Sequence, residues 1–106
     1  MKAGELLAIV DAIRVNTETD NVKYAWINEV EGRVLCEIRK EDPSRLTPVI
    51  SEDDELTVPI PYSKLYTLYI LAMIALSGGD YNGYTRAISE FEEAFSEYAR
   101  FCIRSR

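Results

Sequence analysis

All four prolines of this 106-residue chain lie between residues 43 and 61, and the rest of the sequence has none. Proline lacks a backbone N–H and fixes φ, so a continuous helix cannot run through this stretch. The proline-free segments on either side carry no such restriction. The sequence therefore predicts two helical regions joined by an irregular or extended centre.

Apolar residues recur at helical spacing in four segments, 3–14, 19–40, 62–77 and 81–103. The third segment is apolar nearly all round, which predicts a central helix that is covered on more than one side. Gly32 lies inside the second segment and predicts a neighbour packed closely against it. The fourth segment carries aromatic residues at heptad-like spacing, which predicts that they form part of the core: Tyr84, Phe91, Phe95 and Tyr98.

The central stretch contains two short β-prone runs, 46–50 and 56–60, on either side of an acidic segment at 52–55. This pattern predicts a β-hairpin arm over about 44–61 with an acidic tip. The prolines confine such an arm to edge pairing, and an isolated two-stranded ribbon is marginally stable, so the arm needs its own helices or a neighbouring subunit beside it. The predicted fold is one all-α domain over 1–106, a small four-helix bundle with this arm inserted between helices 2 and 3.

Charge and composition narrow the function classes. Twelve basic residues against eighteen acidic ones give a net charge of −6, which argues against nucleic-acid binding and against docking to an anionic membrane. The chain has no histidine, and no phosphate-binding loop or nucleophile motif is present. We therefore expect no catalysis, no cofactor and no metal.

The longest uncharged segment, 65–79, is shorter than the roughly 20 residues of a membrane span, so we expect a soluble protein made in the cytoplasm. Cys36 and Cys102 fall in separate predicted helices and are expected to be free thiols. The face formed by Glu90, Glu93 and Glu97 is expected to be solvated, because di-metal helix bundles add Glu-x-x-His motifs.

Two charged segments leave alternatives open. The acidic tip is either an exposed turn or a contact with a basic partner surface. The arginines at the C-terminus either complement the helix dipole or contact an acidic partner.

The order of motifs along residues 5–101 resembles a known family. The first motif is Lys23-x-x-Trp26-Ile27-Asn28-Glu29-Val30-Glu31-Gly32-Arg33-Val34. The second is Leu56-x-Val58-Pro59-x-Pro61-Tyr62-x-x-Leu65-Tyr66-x-x-Tyr69. A Gly79-Asp80 turn then precedes a helix that begins with Tyr84 and contains Phe91, Phe95 and Tyr98. This series resembles the small head–tail connector (adaptor, or head-completion) proteins of long-tailed phages and prophages of Gram-positive bacteria.

The resemblance implies a non-catalytic virion protein, made in the host bacterial cytoplasm and located in the virion neck. It implies a homo-oligomeric ring around the DNA channel that joins the portal protein at the capsid vertex to the next neck or tail component. Together with the arm, it suggests an interface with a neighbouring subunit or the portal that uses Val49, Ile50, Glu52, Asp53, Asp54, Glu55, Val58, Ile60, Arg100, Arg104 and Arg106.

A different class also fits the acidic composition. A soluble inhibitor or DNA mimic would occupy a basic site on a host enzyme and would remain monomeric or dimeric. Its carboxylates would spread over one continuous face.

Overall fold

The structure is a computed structural model that describes residues 1–105, and Arg106 lies outside the described residues. The described residues form four α-helices: α1 (Ala3–Ile13), α2 (Asp20–Arg33), α3 (Lys64–Ser77) and α4 (Tyr81–Arg104). The predicted helical class is therefore confirmed. The predicted β-hairpin arm is wrong, because residues 1–105 contain no β-strand and show only an isolated antiparallel bridge between Lys2 and Glu55.

Local sequence signals explain where the helices begin. Thr19 caps α2, and its Oγ1 accepts a hydrogen bond from the N–H of Val22 at 3.3 Å. Asp80 caps α4 in the same way, accepting from the N–H of Gly83 at 2.9 Å. Gly79, at φ 80°, supplies the left-handed residue that separates α3 from α4.

The second predicted helix, 19–40, differs from the structure at its C-terminal end. The α-helical geometry ends at Arg33, and the chain continues through a π-helical turn at Val34–Ile38. Gly32 has nothing within 4 Å of where a Cβ would lie, so the predicted close packing against it is wrong.

Helix α3 is central, as its apolar circumference predicts. It contacts α1, α2 and α4. Its buried residues point in several directions around the helix axis: Leu65, Tyr66, Ile70, Ala72, Ile74 and Ala75. A helix covered on several sides in this way organises the whole core.

The aromatic residues of α4 pack against α3. Phe91, Phe95 and Tyr98 are buried, whereas Tyr84 is half-buried. The ring centroids of Phe91 and Tyr69 lie 5.0 Å apart in a tilted arrangement that aromatic pairs favour. Three of the four predicted aromatic residues thus belong to the core, and Tyr84 lies at its edge.

Residues 41–61, which we call the central loop, fold against the helices of the same chain. Val49, Leu56 and Val58 are 4%, 6% and 0% exposed, respectively. A short 3-10 turn at Pro43–Arg45 is the only helical element of this loop. The two β-prone runs therefore do not pair with each other. Their hydrogen-bond partners include side chains of α2 and α3 and the carbonyl oxygen of Met1.

Candidate docking surfaces

Asn28 on α2 holds the first run of the central loop. Its Nδ2 donates to the carbonyl oxygen of Val49 at 3.0 Å, and its Oδ1 accepts from the N–H of Val49 at 2.7 Å. One side-chain amide thus satisfies both backbone groups of a residue, as a neighbouring strand would.

Glu31, one helical turn further along α2, holds the second run. Its side chain is buried, with Oε2 accepting from the N–H of Thr57 at 3.0 Å and Oε1 accepting a short hydrogen bond from the hydroxyl of Tyr66. The same hydroxyl accepts from the N–H of Val58 at 2.9 Å. Burial raises the pKa of the Tyr66 hydroxyl far above its ordinary value, and the adjacent Glu31 carboxylate raises it further, so the hydroxyl stays protonated beyond the pH at which an exposed tyrosine ionises.

The acidic segment of the central loop lies against the start of α1. The carbonyl oxygens of Asp54 and Glu52 accept hydrogen bonds from the N–H groups of Ala3 and Gly4, each at 2.9 Å. These N–H groups belong to the first turn of the helix, where no intrahelical acceptor exists. The segment predicted to be a free hairpin tip therefore caps α1.

The carboxylates of this segment have different environments. Asp54 is half-buried, and its Oδ2 accepts from the N–H groups of Ile50 and Ser51 at 2.8 and 3.0 Å. Glu55 lies 3.3 Å from the N-terminal amine of Met1. Glu52 and Asp53 are exposed. Asp54 therefore stabilises the turn, while Glu52, Asp53 and most of Glu55 face solvent.

The apolar residues predicted to form an interface divide into two pairs. Val49 and Val58 lie in the core of the chain itself and present no surface to a partner. Ile50 and Ile60 are 76% and 67% exposed. Val49 and Ile50 are adjacent in an extended segment and therefore point to opposite sides. Ile60 lies two residues after Val58, where a turn begins, and is exposed there.

Among the basic residues predicted at the C-terminus, Arg104 lies in the last turn of α4 and Arg100 lies about one turn earlier. Arg100 and Arg104 are exposed, and Arg106 lies outside the described residues. These arginines are remote in sequence from the central loop. Tyr62, just after the loop, stacks on Phe101 with ring centroids 4.9 Å apart, so the end of the loop meets the end of α4.

An apolar groove of about 640 Å³, which we call the α4 groove, runs between α1, α3 and α4. Its floor and one wall are formed by Ile9, Ile13, Thr67, Leu68 and Leu71, and its other side carries Glu90, Glu93, Ala94 and Glu97. Sequence reasoning missed this groove. The sequence signal that indicates such a groove is that α1 and α3 carry more apolar positions than the neighbouring helices can cover.

Glu92 of α4, which does not line the groove, forms an ion pair within the chain. Arg33 lies between Glu37 and Glu92, with N···O distances of 2.6 and 2.8 Å, and its guanidinium lies 4.5 Å from the ring centroid of Phe95. Hydrogen bonds to Glu37 and then Glu92 raise the pKa of Arg33. This arrangement joins α2 to α4 and leaves Glu90 and Glu93 on the groove side.

Residues 1–105 contain neither a metal-binding cluster nor a membrane-spanning helix. Within the described part of the chain, no three His, Cys, Asp or Glu side chains group closely enough to hold a metal ion. None of the helices over residues 1–105 combines the length and apolar character needed to cross a membrane.

Comparison with known proteins found no matching family model, no matching curated protein and no matching solved structure.

Proposed function

We propose that this chain is a non-catalytic head–tail connector that docks to the portal vertex through the outer face of the central loop. The observation that carries the proposal is the exposure of Ile50 and Ile60, at 76% and 67%, on a loop whose other large aliphatic residues are mostly buried. The sequence resemblance to connector proteins supports the same class.

The way in which the loop is held favours docking without rearrangement. Asn28 and Glu31 fix its inner side to α2, and the start of α1 fixes its acidic segment. Because the backbone of the loop is already ordered, the loop loses little further conformational entropy when a partner covers Ile50 and Ile60. The exposed carboxylates of Glu52 and Asp53 beside Ile50 would favour a partner surface with basic residues.

In this proposal the connector forms a ring around the DNA channel, and each subunit presents its central loop to the portal. The net charge of −6 suits a protein that DNA must pass without binding. The earlier expectation of an arm that reaches into a neighbouring subunit is not part of the proposal, because Val49 and Val58 are core residues.

The test is whether this chain binds a portal protein encoded in the same genome, measured by co-purification and by biolayer interferometry. The double variant Ile50→Ser, Ile60→Ser is expected to weaken binding at least about tenfold, since exposed apolar anchors carry much of an interface's energy. Val15→Ser is the matched control, because Val15 is 94% exposed and lies outside the loop.

If the double variant binds the portal with wild-type affinity, the chain docks through another surface. Two outcomes would contradict the connector proposal itself. One is the absence of portal, capsid and tail genes near the gene for this chain. The other is no portal binding at about 100 μM, a concentration at which even a very weak complex forms.

A further inference from the structure

Helix α4 carries a second regular face beside its buried aromatic one. Residues spaced four, three, four and three apart form this face, which we call the α4 flank: Glu90, Ala94, Glu97, Phe101 and Arg104. Its first three members border the α4 groove, and its last two continue beyond the end of the groove. A face with this spacing matches the geometry by which two helices pack along their length.

Charge is distributed unevenly along the flank. Glu90 and Glu93 lie at the groove, whereas Arg104 lies in the last turn of the helix and Arg100 about one turn earlier. Over residues 1–105, none of these four side chains has an ion-pair partner within 4 Å. Glu97, in the middle, lies 3.7 Å from the ammonium of Lys64 in the same chain.

The charges of the flank are complementary to those of a second flank that runs antiparallel to it. Glu90 and Arg104 are equally far from Glu97 in sequence, each about 10 Å along the helix axis. We propose that two copies of this chain pair antiparallel through the α4 flank, with Glu90 of each copy opposite Arg104 of the other and the end of each α4 covering the other's groove.

The identity of the occupant follows from charge and exposure. An apolar groove bordered by Glu90 and Glu93 requires a helix that is basic and partly apolar. The last two turns of α4 have that composition: Arg100 and Arg104 are exposed, and Phe101, a member of the flank, is 36% exposed. In a two-fold pair each favourable contact occurs twice, while Glu97 near the axis keeps its own Lys64.

This inference goes beyond the proposed function and does not use the central loop. A two-fold pair is closed and does not grow into a ring. It is therefore the form of the free protein, and it covers apolar surface that would otherwise be exposed to solvent before assembly.

The experiment measures the mass of the purified wild-type chain by sedimentation equilibrium from about 5 to 500 μM, in 50 mM and 500 mM NaCl. A concentration-dependent dimer is expected, weaker in the higher salt. Glu90→Arg and Arg104→Glu are each expected to raise the dimer dissociation constant at least about tenfold, because each places two like-charge contacts in the pair. The double variant Glu90→Arg, Arg104→Glu is expected to restore it to within about threefold of wild type.

Arg86→Glu is the matched control, because Arg86 is exposed on α4 but lies before the overlapping part of the two helices. It is expected to leave dimerisation unchanged, and thermal unfolding followed by circular dichroism checks that each variant folds. A monomer at every concentration, or a double variant no better than the single ones, overturns the proposal. A mass that keeps rising beyond a dimer also overturns it, in favour of head-to-tail contacts. The portal is absent from this experiment, so its failure leaves the proposed function standing.

Discussion

Asn28 and Val49 are joined by two hydrogen bonds, from the Asn28 amide to the Val49 carbonyl oxygen at 3.0 Å and from the Val49 N–H to the Asn28 amide oxygen at 2.7 Å. A helix side chain here occupies the position that a partner strand would take in a hairpin. Since Val49 is itself 4% exposed, this pairing allows an apolar residue of an irregular loop to enter the core with both backbone groups satisfied.

Asn28→Ala is expected to lower the free energy of unfolding by about 2 kcal/mol, because two half-buried backbone groups lose their partners. Urea denaturation measures this difference. Asn21→Ala, at an exposed position near the start of α2, is the control for the change in helix propensity. If both variants are equally stable, the Asn28 hydrogen bonds contribute nothing to stability.

Tyr66→Phe removes one hydroxyl that serves two partners, the carboxylate of Glu31 and the N–H of Val58. Because both partners are buried, we expect a loss of about 2 to 4 kcal/mol, together with faster amide hydrogen exchange at Val58. Tyr81→Phe, with a side chain that is 68% exposed, is the matched control and is expected to change stability by less than about 0.5 kcal/mol. Unchanged exchange at Val58 in Tyr66→Phe would show that the hydroxyl does not hold the loop.

Stability is expected to fall in acid partly through Asp11. A hydrogen bond from Lys23, with an N···O distance of 2.8 Å, is the main reason that the pKa of Asp11 is lowered. A carboxyl whose folded pKa is depressed stabilises the protein fully above its unfolded pKa, about 3.9, and this stabilisation is lost as the pH falls through the folded value. The side chain of Asp11 is 51% exposed, so the contribution is about 1 kcal/mol or less.

Asp11→Asn tests this pH dependence by thermal unfolding between pH 7 and pH 2.5. The stability difference from wild type is expected to be largest near neutral pH and to shrink as the pH falls below about 4. Asp53→Asn removes the same charge from an exposed loop position and controls for net charge. A difference that stays constant with pH would rule out the ionised Asp11–Lys23 pair as its cause.

The glycines at positions 4 and 32 are expected to respond in opposite directions to substitution by alanine. At Gly4 a Cβ would lie 2.9 Å from Cβ of Glu52 and 3.1 Å from its carbonyl oxygen, so the central loop must move away from α1, at a cost of about 1 to 3 kcal/mol. At Gly32, inside α2, nothing lies within 4 Å, so Gly32→Ala is expected to stabilise the protein by about 0.5 to 1 kcal/mol.

Differential scanning calorimetry of the two glycine variants checks both signs. Each variant is the control for the other, because the chemical change is the same and only the surroundings differ. A stabilising Gly4→Ala would mean that the acidic segment is not held against the start of α1.

Residues that act locally were predictable from the sequence. Thr19 and Asp80 cap helices through N–H groups three residues away, and Phe91, Phe95 and Tyr98 share a face because helical periodicity places them there. The groove could not be predicted in this way, because Ile9 and Leu68 become neighbours only when α1 and α3 pack together.

The sequence by itself determined that the chain is helical on both sides of a proline-containing centre. The helical spacing of apolar residues and the capping residues depend only on positions a few residues apart. Only the tertiary structure decided the conformation of that centre. A β-prone run needs an external partner for its N–H and C=O groups, and a short sequence does not specify which partner is nearest. Here Asn28, Glu31 and Tyr66 provide partners for backbone groups of these runs, so the two runs lie against the helices instead of pairing with each other.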